Sequence, residues 1–412
     1  MASQLPLADE HYVTGQSPEF GDSSISANRT FHAYVHIPFC RVRCGYCDFN
    51  TYTASELRGT SQAGFAAVLQ REVLFAKTEL ERQAFDGGRR ASSIFFGGGT
   101  PTQLPAHDLI AILATLNESF GFAEGCEVTT EANPDNVDFE YLQALRRGGF
   151  TRVSFGMQSA VPEVLATLER THQPANVPTA VAAAKQAGLQ NSVDLIYGAP
   201  KETLEQWRTS LEAAIALEPD HISTYSLIVE PGTKLARQIA KGQLPEPDED
   251  LQADKYELAD QLLKAAGFNW YEVSNWSRTP ETRSTHNLAY WRSQDWWGFG
   301  PGAHSHVGET RWWNAKHPAV YQKAVEAGQT PSVGSERIDS QTRIVEQLLL
   351  EARICEGISI ADAKAANAHA NKVISQLISD GLIDGSKAIA GRIVLTLQGR
   401  LLADYVVREL LG

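Results

Sequence analysis

His36-Ile37-Pro38-Phe39-Cys40-Arg41-Val42-Arg43-Cys44-Gly45-Tyr46-Cys47-Asp48-Phe49 carries three cysteines in a C-x3-C-x2-C run, directly after a β-rich segment from Ala33 to Ile37. Iron-sulfur clusters are held by cysteine thiolates, and a cubane of four irons with only three protein ligands keeps one iron open to bind something else. The run points to such a cluster, with Cys40, Cys44 and Cys47 as its metal ligands. A zinc site or buried structural thiols are the alternatives. Tetrahedral zinc wants four N/S ligands in spaced pairs, and His36 stands on the far side of Pro38 from the cysteines.

Outward from this loop, short β-rich runs alternate with amphipathic helical stretches, the pattern of βα units and a parallel sheet. The strands are expected at Ala33 to Ile37, Ser93 to Phe96, Glu127 to Glu131, Arg152 to Phe155, Ser192 to Ile196 and Ile222 to Leu227. Apolar residues recurring at three and four predict helices at Phe65 to Glu81, Ala106 to Phe120, Phe139 to Arg147, Val177 to Ala187 and Leu204 to Leu217. The fold class is therefore α/β, a partial (β/α)6 barrel. The unusual residues stand at the strand ends: the cysteine loop, Gly97-Gly98-Gly99-Thr100-Pro101, Glu131 with Asn133-Pro134, Gly156-Met157-Gln158, Asp194 with Tyr197-Gly198-Ala199-Pro200, and Tyr225-Ser226. In parallel barrels the active site is built at that C-terminal rim.

At 412 residues the chain exceeds what one compact core usually occupies, so a large barrel domain and a smaller one are expected. A net charge of −13 argues against a phosphate-backbone binder, and nucleic acid is not an expected partner. The five cysteines are odd in number and three are clustered, unlike the even framework of a secreted disulfide protein, so the reducing cytoplasm is expected. No apolar run approaches the roughly 18 to 20 residues that cross a bilayer. Residues 1–30 are polar, carry no basic-then-apolar leader and read as a loosely ordered arm.

The barrel domain is placed at 31–275. A Pro- and acid-rich link, Leu244 to Asp250, leads to a helix ending near Ala266 and a further strand, Asn269 to Asn275. Residues 276–412 form the second region. Its first part, Trp276 to Trp313, holds six tryptophans with His286, His304 and His306 and is too irregular for a plain core element. Its last part is helical from Arg343 and closes with a helix, Val373 to Leu382, a turn at Asp384-Gly385, and a β pair, Ala388 to Ala390 with Arg392 to Leu397. That order resembles a small α+β, winged-helix-like module, whose expected role is packing against the barrel rather than DNA contact.

Three glycines after a strand let a ligand approach the backbone closely, though they also make ordinary tight turns, and Thr100 adds a hydroxyl. Glu131, at the end of an apolar strand, is suited to accept hydrogen bonds from ribose hydroxyls, or is a solvated strand end. Cys126 and Cys355 lie in apolar stretches and read as small buried hydrophobes.

With these motifs in place, the chain from about Tyr34 onward resembles the radical S-adenosylmethionine (SAM) superfamily, and within it the oxygen-independent coproporphyrinogen oxidase and HemW group. The resemblance implies a [4Fe-4S] cluster on the three cysteines, SAM chelating the open iron through its amine and carboxylate, and a deoxyadenosyl radical when SAM is cleaved. It assigns Gly98, Gly99 and Thr100 to the methionine amine and Glu131 to the ribose. Gln158, Arg170 and Asp194 line the same cavity, and Tyr34 and Tyr46 lie beside the sulfonium and the adenine.

Two departures decide the subgroup. The coproporphyrinogen dehydrogenases have a fourth cysteine at a C-x-C spacing after the third, and here that position is Phe49. The run His286-Asn287-Leu288-Ala289-Tyr290-Trp291 is similar to the H-N-x-x-Y-W signature of HemW-type heme chaperones. Neutral imidazole is a common axial ligand of heme iron, which makes His286 the expected heme ligand, with His304 and His306 in reserve. The resemblance implies a heme chaperone that binds heme and passes it to heme-accepting proteins. An electron donor such as a flavodoxin or ferredoxin joins the partners if SAM is cleaved, and a peripheral membrane contact is a further expected partner. The alternatives are a coproporphyrinogen III dehydrogenase and a radical enzyme acting on RNA.

Overall fold

The computed structural model describes residues 15–57, 61–85 and 89–412. Six strands follow one another as parallel neighbours: β1 (Phe31–Ile37), β2 (Ala91–Gly98), β3 (Phe122–Ala132), β4 (Arg152–Gln158), β5 (Gln190–Tyr197) and β6 (His221–Ser226). All six lie where the sequence places them. Helices Phe65–Arg82, Ala106–Phe120, Phe139–Arg147, Asn176–Ala187 and Leu204–Ala216 follow β1 to β5 in turn. Each presents an apolar stripe; in the first of them Phe65, Val68, Leu69, Val73, Ala76 and Leu80 are buried at the expected spacing of three and four.

The period-two alternation of the strands divides two environments. Ala33, Val35 and Ile37 of β1, Ile94 and Phe96 of β2, Val153 and Phe155 of β4 and Val193 and Leu195 of β5 belong to the main hydrophobic core shared with the helices. Burying each of these valine, isoleucine, leucine and phenylalanine side chains stabilises the fold by roughly 1.5–3 kcal/mol. The intervening residues face the barrel interior and are mostly polar: His32, Tyr34 and His36, then Ser93, then Glu127, Thr129 and Glu131, then Arg152 and Ser154, then Ser192 and Asp194, then His221 and Ser223. A barrel filled only for stability stacks branched apolar side chains in layers. This one has a polar interior, much of it hydrogen-bonded side chain to side chain.

The sheet continues beyond residue 275. The expected single strand at Asn269 to Asn275 is a hairpin, β7 (Asn269–Glu272) and β8 (Asn275–Ser277), with β8 antiparallel to β6. The tryptophan-rich stretch supplies β9 (Asp295–Phe299), parallel to β1, and β10 (His304–Val307), β11 (Thr310–Asn314) and β12 (Ser332–Arg337) follow as an antiparallel meander. Among the described residues the sheet has twelve strands in the open order β12-β11-β10-β9-β1-β2-β3-β4-β5-β6-β8-β7. Residues 276–337, read from sequence as part of the second region, thus complete the barrel sheet.

A separate hydrophobic core begins at Leu348 and runs to Leu410. Helices gather there around a two-residue ribbon, Ile358–Ser359 with Arg392–Ile393. The expected first wing strand, Ala388 to Ala390, is the end of a short helix, Gly385–Ile389, because Asp384 caps it through Ser386 N and Lys387 N. Arg400 joins this module to the barrel, 3.0 Å from Asp260 and over the Trp270 ring at 4.3 Å.

The N-terminal arm is anchored from Phe20 onward. Phe20 is fully buried between Phe85, Trp297 and Trp312. Residues 1–14 of the expected arm lie outside the described residues. No described helix is long and apolar enough to cross a membrane.

Candidate cluster and cofactor site

The cysteine loop leaves the end of β1 and is stapled at its base. Tyr52 N donates to Pro38 O at 2.7 Å, and Cys40 N donates to Tyr52 O at 3.0 Å. The neighbouring glycine turn docks onto the same base, with Gly99 N and Thr100 N donating to Ile37 O and Phe39 O, each at 2.8 Å. A Cβ on Gly99 would stand 2.6 Å from Phe39 O, and one on Gly98, whose φ is +105°, would stand 2.4 Å from the His36 ring. Glycine is required at both positions, at Gly98 by the end of β1 and at Gly99 by the base of the cysteine loop. From the other side, His36 Nε2 donates to Asn50 O at 2.8 Å, and Asn50 Nδ2 donates to Pro301 O at 2.9 Å. Gly300 N in that same loop donates to the buried Glu72 carboxylate at 2.8 Å.

One cavity is lined by Cys40, Cys44 and Cys47 together with Gly98, Gly99, Thr100, Tyr46, Glu131, Gln158, Arg170 and Asp194. The structure therefore brings to one place eleven of the thirteen residues expected from the sequence to hold cluster, SAM or heme, the two reserve histidines aside. The three thiols are free and partly exposed. Burial pushes the Cys47 thiol up to about 11, so ligation has to displace its proton. Among the described residues no three His, Cys, Asp or Glu side chains converge on a point that would hold a single ion. Three free thiols on the wall of one cavity are the donor set that a cluster with one open iron would use.

The donor set also fits a polar ligand beside the cysteines. Gln158 adopts a left-handed backbone, φ +62°, and its Oε1 is buried without a partner. Gly156 gives room for this, since a Cβ there would stand 2.8 Å from Gln158 Nε2 and 3.1 Å from Arg170 Nη2. Glu131 accepts from Gly98 N at 3.1 Å. Burial, and then the Asp194 charge, raise the Glu131 carboxyl to about 8 against the Gly98 bond that lowers it. Asp194 accepts from Ser154 Oγ at 2.6 Å, and burial raises its pKa as well.

A second cavity of about 500 Å³ shares Tyr46, Cys47, Glu131, Gln158 and Asp194 and continues into the barrel past Thr129, Arg152, Ser192, His221 and Ser223. These deeper residues were missed in the sequence reading. Their signal was the regular recurrence of polar side chains at every second position of otherwise apolar strands. Phe49, 61% exposed, and Ile228, 68% exposed, stand at the mouth.

Tyr34 and His286 line neither cavity. The helix Thr285–Trp291 fills the floor of the barrel, where Glu127 accepts from Thr285 N at 3.0 Å and His286 N at 3.1 Å. An anionic side chain at a helix N-terminus satisfies the free amides and the helix dipole together. The His286 ring, 2% exposed, stacks on Phe95 at 5.2 Å, one layer beneath the ligand cavity. His304 stacks on Trp313 and His306 packs edge-on to Trp296, both away from the cavities.

Both His286 nitrogens are engaged, and the proton positions follow from the network. Gln294 Nε2 donates to Arg292 O at 2.9 Å, so Gln294 Oε1 is an acceptor, and Thr30 Oγ1 donates to it at 3.0 Å. Thr30 then accepts from His32 Nε2 at 2.7 Å, which leaves His32 Nδ1 to accept from Ser93 Oγ at 2.7 Å. Ser93 in turn accepts from His286 Nδ1 at 2.8 Å, and His286 Nε2 accepts from Tyr290 Oη at 3.0 Å. The motif's other pair, Asn287 and Trp291, hydrogen-bonds the buried Glu272 carboxylate. Iron at either His286 nitrogen would have to displace Ser93 or Tyr290, so this geometry does not present the expected axial ligand.

A model of the radical SAM superfamily matches residues 34–214, a span that contains the three cysteines and every residue lining the first cavity. The chain is 43% identical over 383 residues to the heme chaperone HemW of Mycobacterium tuberculosis (strain ATCC 25618 / H37Rv), covering 93% of this chain and 95% of that protein. This chain belongs to the HemW family. It is 33% identical to the Bacillus subtilis (strain 168) member, over 92% of this chain and 99% of that protein. It is 38% identical over 272 residues to the mitochondrial radical S-adenosyl methionine domain-containing protein 1 of Bos taurus, over 66% of this chain and 59% of that protein. Among solved structures, coproporphyrinogen III oxidase (HemN) from Escherichia coli superposes with a TM-score of 0.77 over 96% of this chain and 94% of that one, at 24% identity. That likeness establishes a shared fold.

Proposed function

We propose that this protein is a cytoplasmic heme chaperone that binds heme and delivers it to heme-accepting proteins, and that it carries a [4Fe-4S] cluster on Cys40, Cys44 and Cys47 with SAM in the adjoining cavity. The observation that carries the cofactor reading is the convergence of three free thiols, the Gly98-Gly99-Thr100 turn and the orphaned Gln158 Oε1 on one cavity. The near full-length identity to a heme chaperone supports the cargo. Cluster and SAM together supply one-electron chemistry when bound, and an electron donor such as a flavodoxin or ferredoxin is a partner if SAM is cleaved.

In this reading Gly98 and Gly99 let the methionine end of SAM approach the backbone. Glu131 accepts from the ribose, and Gln158, Arg170 and Asp194 fix the remaining polar groups. Tyr46 closes the side of the cavity. Tyr34 and His286 act one layer below, as supports of Phe95 and the floor. Heme iron is not assigned to His286.

The second reading, a coproporphyrinogen III dehydrogenase, is favoured by the shared fold with HemN. Phe49 weighs against it, because an apolar, exposed side chain occupies the position of the fourth cysteine. An anaerobic hemin titration of the reconstituted protein, with coproporphyrinogen and SAM in a parallel reaction, separates the two. Stoichiometric heme binding without decarboxylated product is expected. SAM-dependent product without heme binding would overturn the chaperone reading.

A further inference from the structure

The three cysteines do not share one environment. Arg170 Nη1 donates to Cys44 Sγ at 3.5 Å, and the Tyr46 hydroxyl also donates to Cys44 Sγ. Cys40 Sγ has a long contact to Thr100 Oγ1 at 4.0 Å and a further hydroxyl neighbour in Thr51. Cys47 takes a backbone amide, that of Phe49. Arg170 lies within electrostatic reach of Cys40 as well, but only Cys44 accepts a hydrogen bond from this cation, which is fixed in place. Arg170 Nη2 donates to Gly156 O at 3.0 Å, so the planar fork is held at one prong and aimed at the sulfur with the other. Arg170 Nε is buried with no partner.

We infer that Arg170, assisted by Tyr46, tunes the electron affinity of the cluster through Cys44, holding its reduction potential higher than an otherwise identical cluster would have. The inference rests on the cluster reading proposed above. Reduction adds a negative charge that is shared by the cluster sulfurs and their thiolates, and hydrogen bonds to those sulfurs are a main determinant of cluster potential. A buried guanidinium 3.5 Å from one thiolate favours the more negative, reduced state, and the low local polarity of the site strengthens that effect. Lysine carries the same charge but lacks the fork that reaches Gly156 O and the sulfur together. Arg170 is here a positioning residue of the cluster, a role distinct from contact with SAM.

The test is an EPR-monitored redox titration of anaerobically reconstituted full-length protein in the absence of SAM, comparing wild type, Arg170→Gln, Arg170→Lys and Tyr46→Phe, with iron and sulfide measured on each. The expected result is a more negative potential in Arg170→Gln, an intermediate value in Arg170→Lys and a smaller shift of the same sign in Tyr46→Phe. A wild-type potential in SAM-free Arg170→Gln, with weakened SAM binding, would confine Arg170 to SAM and overturn the inference. If Arg170→Gln does not retain iron, unchanged potentials in both Arg170→Lys and Tyr46→Phe overturn it. Failure of the wild type itself to hold iron and sulfide would defeat the cluster reading instead.

Discussion

Tyr290 Oη donates to His286 Nε2 at 3.0 Å across one turn of the helix at the barrel floor, closing the last open nitrogen of a buried imidazole. Burial holds the His286 pKa well below the ordinary histidine value, so the ring is neutral at physiological pH. Tyr290→Phe deletes this one bond and should cost about 1 kcal/mol. His286→Ala removes a packed ring and strands Ser93 and Tyr290, and should cost roughly 2–5 kcal/mol. Urea titrations measure both. Because His286 acts as a floor support, hemin affinity of the folded Tyr290→Phe protein should equal that of the wild type. A clear gain in affinity would restore His286 as the axial ligand.

Glu131 is expected to bind SAM as a carboxylate, yet its pKa stands at about 8 in the unliganded protein. Hydroxyl donors from a ribose favour the charged form, so SAM affinity should rise with pH up to about 8 and level off above it. Glu131→Gln should weaken SAM roughly 10- to 100-fold, the worth of a charge-assisted bond, and flatten the pH profile. Isothermal titration at several pH values is the measurement, and an unchanged profile in the variant would remove Glu131 from the site.

Burial raises the Glu72 carboxyl from 4.5 to about 7, although Tyr321, Gly300 N and Asn314 all donate to it and lower it. The native state therefore retains a proton that the unfolded chain gives up, and stability falls as pH rises through the window from about 4.5 to about 7. The loss is on the order of 3 kcal/mol, complete above the folded-state pKa and absent below the unfolded one. Glu272, also raised to about 7 by burial, adds to it with the same sign. Denaturation of Glu72→Gln at pH 5 and pH 8 should show a smaller pH difference than the wild type. An identical difference would mean that Glu72 ionises normally.

Phe49→Cys places a thiol where the coproporphyrinogen dehydrogenases have their fourth cysteine. The native side chain there is 61% exposed, at the cavity mouth. The variant should keep the wild-type iron content and yield no decarboxylated product by chromatography. Product would show that a single residue separates the two activities.

The sequence made much of this legible, for local reasons. Cysteine spacing, glycine turns and the period of two against 3.6 are short-range signals, and they placed the six parallel strands and the residues of the first cavity. What escaped depends on distant partners. Ser93, which pairs with His286 Nδ1, lies 193 residues earlier in the chain, so this engagement of the imidazole leaves no local trace in the sequence. Phe20 read as part of a polar arm because its pocket is built from Phe85, Trp297 and Trp312. The strands β9 to β12 were hidden by tryptophans, histidines and glycines whose pairing with β1 and with one another cannot be read from spacing.

The most direct test of the account is heme delivery itself. Reconstituted protein loaded with one equivalent of hemin is mixed anaerobically with an apo-hemoprotein, and the acceptor's spectrum is followed in the wild type and in a Cys40→Ala/Cys44→Ala/Cys47→Ala variant. The account predicts that the wild type binds hemin and that the acceptor spectrum develops as heme leaves it, while the variant lacks the cluster absorbance. A wild type that takes up no hemin, or holds it without yielding any to the acceptor, would contradict the chaperone function.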